Sequence, residues 1–322
     1  MPKKIAISIP KTKRIEAARF APLFIDFTFK RVFAAEQRKD QLISLIEAFL
    51  EEYLQARIKD IVLLPNEQIN KTRKQRAAVF DLHCRDNNGN RFIVEMQLAK
   101  RDHFIGKLLV YISHTITGLA KKGKMYKFDL PIIYSLSFLN YELEPEDKHG
   151  DVTQHIGLSN LKHTKKRYPH IHIALAMLTR FRKSLEQCKT TCDLWLYLFK
   201  NLHKLDKIPP KFNNKLFRPV FEVAEICNFN EIELRDYEAN MKYLDDYNAT
   251  IEYAKKEAKR EGMEKGMEKG VAIGETRGIK KGVTLGMKKG VAIGRRQINK
   301  LFALLESGVP LAEAKRKFGL EN

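Results

Sequence analysis

Alternating apolar and polar positions between Val79 and Leu98 predict a β-hairpin that carries acidic side chains on one face. Period-two alternation divides the first strand into two sets, Val79, Asp81 and His83 against Phe80, Leu82 and Cys84. The second strand divides in the same way, with Ile93, Glu95 and Gln97 on one face and Phe92, Val94, Met96 and Leu98 on the other. Asp81, Glu95 and Gln97 can therefore share one face.

The turn of this hairpin decides whether the acidic residues meet, because a one-residue slip moves every side chain to the other face. A two-residue turn at Asn88-Gly89 would set Asp81 opposite Met96. A three-residue loop over 87–89, with Gly89 in the left-handed conformation, sets Asp81 opposite Glu95 and aligns both apolar faces. We therefore predict the three-residue loop, or a bulge with the same effect.

The surrounding pattern predicts an αβββαβ order of elements. A broad apolar stripe predicts a helix over Asp40–Ala56, followed by a strand over Ile58–Leu64 that stops at Pro65. After the hairpin come a helix over Phe104–Lys122 and a strand over Leu130–Leu139. The strand, helix and strand from Phe92 to Leu139 should form a right-handed parallel crossover unit.

The second half of the chain is predicted to be mainly helical. Residues 141–168 are polar and show no clear period, and Ile171–Leu175 alternates like an edge strand. His170 and His172 lie on the other face of that strand; they could ligate a metal, but zinc normally needs three or four ligands, which favours satisfied or solvent-facing histidines. Helices are predicted around Trp195, over Cys192–Leu205, Leu216–Cys227 and Glu231–Lys259.

Glycine recurs at every fourth position from Gly262 to Gly294, nine times in all. On a helix this stripe advances about 40° per step, and nine glycines cost about 9 kcal/mol of helix propensity relative to alanine. An isolated helix with this many glycines should therefore be unstable. The segment is therefore either a conditional helix that self-associates through close approach at glycine or a flexible basic tether.

The chain closes with a predicted pair of short helices, Gln297–Glu306 and Pro310–Phe318. A DNA-reading helix-turn-helix is one interpretation, with Lys315, Arg316 and Lys317 facing phosphate. The other interpretation is a plain helical cap, because two helices without a third rarely form a stable DNA-binding domain.

A formal charge of +20 at pH 7 favours a polyanionic partner, above all nucleic acid. The first 19 residues hold six basic residues and one acid, a basic arm that either contacts phosphate or is a solvated leader. Four cysteines without metal-pair spacing favour a reducing cytoplasm. No stretch resembles a signal peptide or a membrane span, and ten basic residues in 262–300 exclude a membrane role for the glycine segment.

Asp81 and Glu95 are the candidate metal-binding residues. Two carboxylates that face each other across a hairpin can bind a divalent cation, which lowers the pKa of a bound water and offsets charge on a phosphodiester. The alternative is that they form the wet face of an ordinary hairpin.

Several segments resemble the recombination-promoting nuclease and putative transposase family of the PD-(D/E)XK nuclease superfamily. They are IDFTFKRVF (25–33), LISLIEAFLEEYL (42–54), VFDLHC (79–84), NRFIVEMQ (90–97), Lys107 with Tyr111, KGKMY (122–126), PIIYSLSF (131–138) and the closing glycine repeat. The resemblance implies a restriction-endonuclease-like α/β (α+β) fold. It divides the chain into a basic arm (1–20), a nuclease core (21–145), a mainly helical annex (146–260), the glycine-repeat helical tail (261–296) and a short helix pair (297–322).

The same resemblance implies a bacterial, Mg²⁺-dependent (or Mn²⁺-dependent) DNA endonuclease linked to recombination or mobile elements. Asp81, Glu95 and the carbonyl of Met96 would hold the metal, and Gln97 would take the superfamily's lysine position. Asp26 is a possible further acid, and Lys30 and Lys107 are possible cations for phosphate or water. His83 receives no role.

Two departures bear on activity. Gln97 can orient a water through its amide but supplies neither charge nor a proton as lysine does, although the family often shows the same glutamine. Lys107 stands where the family tends to show arginine, which keeps the charge but loses the bidentate geometry. The alternative function is a catalytically weak or inactive nuclease-fold protein that binds DNA or assembles.

Overall fold

The computed structural model of this chain describes residues 18–68, 78–100, 102–119, 129–143, 150–163 and 165–319. Most of the predicted basic arm, 1–17, and most of the predicted loop before the hairpin, 69–77, lie outside these ranges. The chain forms two units, Met1–Tyr247 and Asn248–Asn322.

A six-stranded sheet forms the centre of the first unit, in the order β1-β4-β5-β6-β8-β7. Its strands are β1 (Ile61–Leu63), β4 (Leu82–Asp86), β5 (Arg91–Gln97), β6 (Ile133–Leu139), β7 (Thr153–Ser159) and β8 (Arg167–Met177), and a separate two-stranded sheet pairs β2 (Glu67–Gln68) with β3 (Ala78–Val79). β5, β6 and β8 are parallel, and the other neighbours are antiparallel.

Both faces of the central strands are buried. Helices α1 (Asp26–Phe33), α2 (Lys39–Leu50) and α4 (Thr191–Asn201) contribute to the core on one face, which includes Phe92, Val94 and Tyr134. Helix α3 (Phe104–Leu119) covers the other face, packing with Phe80, Ile93 and Ile133. Strands covered on both sides are typically near-continuous apolar runs, which is why β6 reads IYSLSFL with every residue buried.

The predicted register of the hairpin is confirmed. Leu82 pairs with Val94 and Cys84 with Phe92, a register that continues to place Asp81 opposite Glu95. The turn spans 87–89: the Asp86 N–H donates to the Asn90 carbonyl at 3.1 Å, and Gly89 has φ 85°. A left-handed residue at the third loop position closes this turn, and glycine adopts it without strain.

The first strand of the hairpin is shorter than predicted, because Phe80 and Asp81 separate β3 from β4. Phe80 consequently packs with Ile93 beneath α3, rather than on the opposite face with Leu82 and Cys84. The break was not visible from alternation, since a bend in the backbone resets which side a residue faces.

The crossover prediction is confirmed in its strand direction, since β5 and β6 are parallel and α3 connects them. The edge-strand prediction for Ile171–Leu175 is wrong, because β8 lies between β6 and β7 and β7 forms the edge. β7 itself, within the stretch that showed no clear period, was not predicted from the sequence.

Within the described part of the chain, His155 of β7 and His172 of β8 do not belong to a metal site of three ligands. His172 lies 3.2 Å from His155 of β7, measured between ring nitrogens, and no three His, Cys, Asp or Glu residues in the described ranges form a metal cluster.

The predicted helices are present with shifted ends. Trp195 lies fully buried on α4, α5 runs over Arg218–Ala224, and all four cysteines are free. Helix α6 extends over Glu231–Glu306, so Gln297–Glu306 is its end rather than a separate short helix, and α7 covers Leu311–Lys317. None of the helices in the described ranges combines the length and apolarity that crossing a bilayer requires.

Candidate active site

The mouth of the β4–β5 hairpin brings two carboxylates together. Each one bonds to the backbone of the opposite strand: the Asp81 N–H donates to Glu95 Oε1 at 3.3 Å, and the Met96 N–H donates to Asp81 Oδ2 at 2.8 Å. The break between β3 and β4 allows this arrangement, since it frees the backbone N–H of Asp81 from the strand ladder. The reciprocal bonds hold the two acids at a fixed separation.

Glu95 is the most enclosed member of this group, with 1% of its surface exposed. Its Oε2 accepts hydrogen bonds from Gln97 Nε2 and from Lys107 Nζ, each at 3.0 Å. Lys107 reaches it from the first turns of α3, with its ammonium 4.8 Å from the centroid of the Tyr111 ring. The wet-face interpretation is therefore wrong for Glu95, which Lys107 of α3 contacts, whereas Asp81 stays partly exposed.

Burial raises the pKa of both carboxyl groups. For Glu95 the pKa rises to about 7, first through burial and then through the negative charge of Asp81, while Lys107 opposes the rise. For Asp81 burial again dominates, the Met96 N–H lowers the pKa and the carboxylate of Asp26 raises it. Ionising both carboxyl groups is therefore costly in this site, and a bound cation would offset that cost.

Asp26 and Lys30 border the pair from the start of α1. They form an exposed ion pair of 2.8 Å, and the charges of both act on the pKa of Asp81. The structure therefore brings together all the residues to which the resemblance assigned a function: Asp81, Glu95, Met96, Gln97, Asp26, Lys30 and Lys107.

His83 is separated from the pair, although it shares the acidic face in sequence. It is 3% exposed, and burial together with the charge of Arg91 lowers its pKa to about 4. Its ring contacts Phe80, at 5.0 Å between centroids, and lines a different cavity with Pro65 and Arg91. His83 is thus a neutral imidazole at pH 7 and no partner of the carboxylates.

Two further residues were missed from the sequence. The Asn66 side chain donates to the carbonyl of Asp81 at 3.0 Å and braces the bend at the hairpin mouth. Ser137 of β6 is the direct neighbour of Glu95 in the sheet, is fully buried and has a hydroxyl with no hydrogen-bond partner in the described ranges. The sequence did contain a signal for Ser137, because Ser135 and Ser137 interrupt the apolar run of β6 at a spacing of two.

The donors at this site suit a hard cation. Carboxylate and carbonyl oxygens are ligands preferred by Mg²⁺ and Mn²⁺. The described ranges contain no cluster of three acidic, histidine or cysteine ligands. Among the described residues, Asp81, Glu95 and backbone oxygen would hold a cation here, together with water. Mg²⁺ usually retains several waters, so two carboxylates and one carbonyl fit its coordination.

The first unit is a mixed α/β structure whose central hairpin carries one buried and one partly buried carboxylate. A model of the PD-(D/E)XK nuclease family transposases matches residues 23–254, and the chain belongs to that family. The resemblance seen in the sequence is thereby confirmed. No curated protein and no solved structure matches the chain.

Proposed function

We propose that this protein is a divalent-metal-dependent DNA endonuclease that hydrolyses phosphodiester bonds. The observation that carries the proposal is the Asp81–Glu95 pair, in which Glu95 is buried and contacted by Lys107 of α3, Asp81 is partly buried, and both pKa values are raised. Ordinary structural carboxylates are rarely buried beside one another, because each raises the cost of ionising the other. A cation that both bind removes that cost.

In this proposal Asp81, Glu95 and the carbonyl of Met96 hold Mg²⁺ or Mn²⁺. When bound, the cation supplies a water of lowered pKa and positive charge at the phosphate. Gln97 orients Glu95 through its amide, which already donates to Oε2, and can orient water in the same way. Lys107 offsets negative charge beside Glu95, and Asp26 and Lys30 are accessory groups at the border of the site.

DNA is the proposed substrate because the chain carries a formal charge of +20, which suits a polyanion. The family links this activity to recombination or mobile elements in a bacterial cell. The bacterial cytoplasm is the proposed location, because it holds the DNA and keeps the four free cysteines reduced.

We test the proposal with supercoiled plasmid, Mg²⁺ and two variants, Asp81→Asn and Glu95→Gln, which preserve side-chain size. We expect nicking and linearisation by the native protein and a loss of more than about a hundredfold in each variant, since even residues that only support metal ligands cost 10–100-fold. Asp151→Asn removes an exposed acid elsewhere and should cleave normally.

Cleavage that persists in both variants would show a contaminating nuclease. Binding of DNA without cleavage by the native protein would favour the alternative, a catalytically inactive nuclease-fold protein that binds DNA or assembles. An electrophoretic mobility shift on the same samples separates these outcomes.

We further propose that the glycine repeat mediates self-association. Within α6 every residue from 258 to 293 is exposed, and a Cβ added at any of the nine glycines would meet no atom within 4 Å in the described ranges. Apolar residues follow most of the glycines and are also exposed, among them Met267 (73%) and Met287 (70%). Small residues beside apolar ones let a second helix approach closely, which would offset the cost of glycine.

Deletion of 262–294 tests this second proposal by light scattering. A mass that falls from an oligomer to a monomer supports it, and an unchanged mass rules it out. Plasmid cleavage by the deleted protein shows whether assembly matters for activity.

A further inference from the structure

A second cavity opens on the face of the sheet that carries Glu95, at the other end of β5. It has a volume of about 230 Å³ and is lined by Leu64 and Pro65 after β1, His83 and Arg91 of the hairpin, and Thr115 and Gly118 near the end of α3. We call it the Arg91 pocket. A water molecule occupies about 30 Å³, so the pocket has room for several waters or for one polyatomic ion.

Two polar side chains line this pocket with buried nitrogens that have no hydrogen-bond partner in the described part of the chain. Neither ring nitrogen of His83, which is 97% buried, makes a hydrogen bond of normal geometry to a described residue, although the Pro65 carbonyl lies nearby. Nη1 of Arg91 is also buried and unbonded among the described residues. A buried hydrogen-bond donor without a partner destabilises the fold, so the N–H of the neutral His83 ring and the Nη1 group of Arg91 each favour a bound acceptor.

No carboxylate among the described residues forms an ion pair with Arg91. Arg91 lies directly opposite Arg85 in the hairpin register, and like charges directly opposed across strands destabilise a sheet. Asp86, the acid whose charge acts on Arg91, is engaged in the turn: Oδ1 accepts the N–H groups of Asn88 and Asn90, and Oδ2 accepts the amide of Asn90. Burial and the charge of Arg85 lower the pKa of Arg91, and the charge of Asp86 opposes this only in part.

Thr115 adds no competing donor, since its hydroxyl already donates to the Tyr111 carbonyl at 3.1 Å. The groups free to bind are therefore the guanidinium of Arg91 and an imidazole N–H of His83, both donors. A guanidinium presents a fork of N–H groups that matches the oxygens of phosphate. We propose that the Arg91 pocket binds a phosphate group, through Arg91 and His83.

Two sources share this chemistry, a phosphodiester of bound DNA and a free phosphate. Arg91 lies on the same face of β5 as Glu95 and four residues before it, about 13 Å along the strand. A DNA strand with one phosphate at the carboxylates could place a later phosphate at Arg91. The phosphate-binding proposal itself does not rest on cleavage, so it stands or falls separately from the proposed function.

The experiment measures inorganic phosphate binding to the full-length protein by isothermal titration calorimetry in EDTA. In parallel, fluorescence anisotropy measures binding of a short labelled duplex, also in EDTA so that no cleavage intervenes. Arg91→Gln removes the cation, Arg91→Lys retains charge without the fork, and His83→Asn removes the imidazole. Arg57→Gln is the matched control, because it removes an arginine whose side chain is 90% exposed.

We expect phosphate affinity to fall about tenfold or more in Arg91→Gln and to fall less in Arg91→Lys and His83→Asn, with Arg57→Gln unchanged. A matching loss of duplex affinity, with a shallower salt dependence, identifies DNA as the source. Retained duplex affinity identifies free phosphate. If Arg91→Gln does not fold, the other two variants give the readout. Absence of phosphate binding by the native protein, or equal binding by the variants and the Arg57→Gln control, overturns the proposal.

Discussion

The β4–β5 hairpin and the glycine repeat of α6 both follow short, regular sequence patterns, but they differ in what surrounds them. In the hairpin, the carboxylate of Glu95 is 1% exposed and bonded to Lys107 from another element. In the repeat, side chains are exposed and ion pairs join neighbours within the helix, as between Lys265 and Glu261. Contacts from elsewhere in the fold set the chemistry of the hairpin, whereas the side chains of the repeat stay exposed.

The largest difference should appear when a large aromatic side chain is removed next to each region, from β6 beside the hairpin and from the part of α6 that follows the repeat. Phe138 lies between Phe49 and Phe199, with ring centroids 5.1 and 4.2 Å away, whereas Phe302 in α6 is 59% exposed. We expect Phe138→Ala to lower the free energy of unfolding by about 3–5 kcal/mol. Phe302→Ala should change it by less than about 0.5 kcal/mol. Urea denaturation measures both, and equal losses would contradict the comparison.

The next largest effect concerns Lys107. Replacing it with Met removes the 3.0 Å contact with Glu95 and leaves that buried carboxylate without its cation, so we expect plasmid cleavage to fall about 10–100-fold. Lys107→Arg keeps the charge and should retain most activity. Lys59→Met, at an exposed position, is the control. Loss of activity in Lys107→Arg equal to that in Lys107→Met would mean that charge is not what Lys107 supplies.

Stability should depend on pH through Glu95. Its pKa is about 7 in the folded protein against 4.5 ordinarily, so between these values the folded state keeps a proton that the unfolded chain loses. Stability from this group is therefore lost as pH rises from 4.5 to 7. In EDTA, we expect Glu95→Gln to melt higher relative to the native protein at pH 8 than at pH 5. A melting difference independent of pH would refute the raised pKa.

The smallest effect belongs to the repeat. Replacing Gly274 and Gly278 with Ala should raise helix stability by about 1 kcal/mol per residue within that segment. If close approach at glycine holds two copies together, the same change weakens association. Circular dichroism and light scattering on the double variant would then move in opposite directions. Higher helix content with an unchanged mass would show that the repeat is a helix without a partner.

The chain's own pattern was enough to predict the central hairpin. Gly89 and the matched apolar sets on both strands determined its three-residue turn and its register, since only one register buries both sets. The parallel crossover followed from a strand, a helix and a strand in succession. β7 was not predictable, because its exposed side chains give no burial signal and its strand conformation comes from pairing with β8.

The candidate site could be predicted in its acids but not in its surroundings. Asp81 and Glu95 follow from register, whereas the reversal of Phe80 follows from a bend that only packing beneath α3 produces. Ser137 became a neighbour of Glu95 through the parallel pairing of β5 and β6. His83 shares the alternation of Asp81 yet lines a separate cavity with Arg91.

By itself, the sequence determined which residues face each other within the hairpin and the presence of most helices, because local periodicity and turn geometry specify both. Its resemblance to a nuclease family was also visible in the sequence. Only the tertiary structure decided that Glu95 is buried, that Lys107 reaches Glu95, and that no carboxylate in the described ranges forms an ion pair with Arg91. Burial and electrostatics depend on elements distant in the chain, and these set the charge that a site can hold.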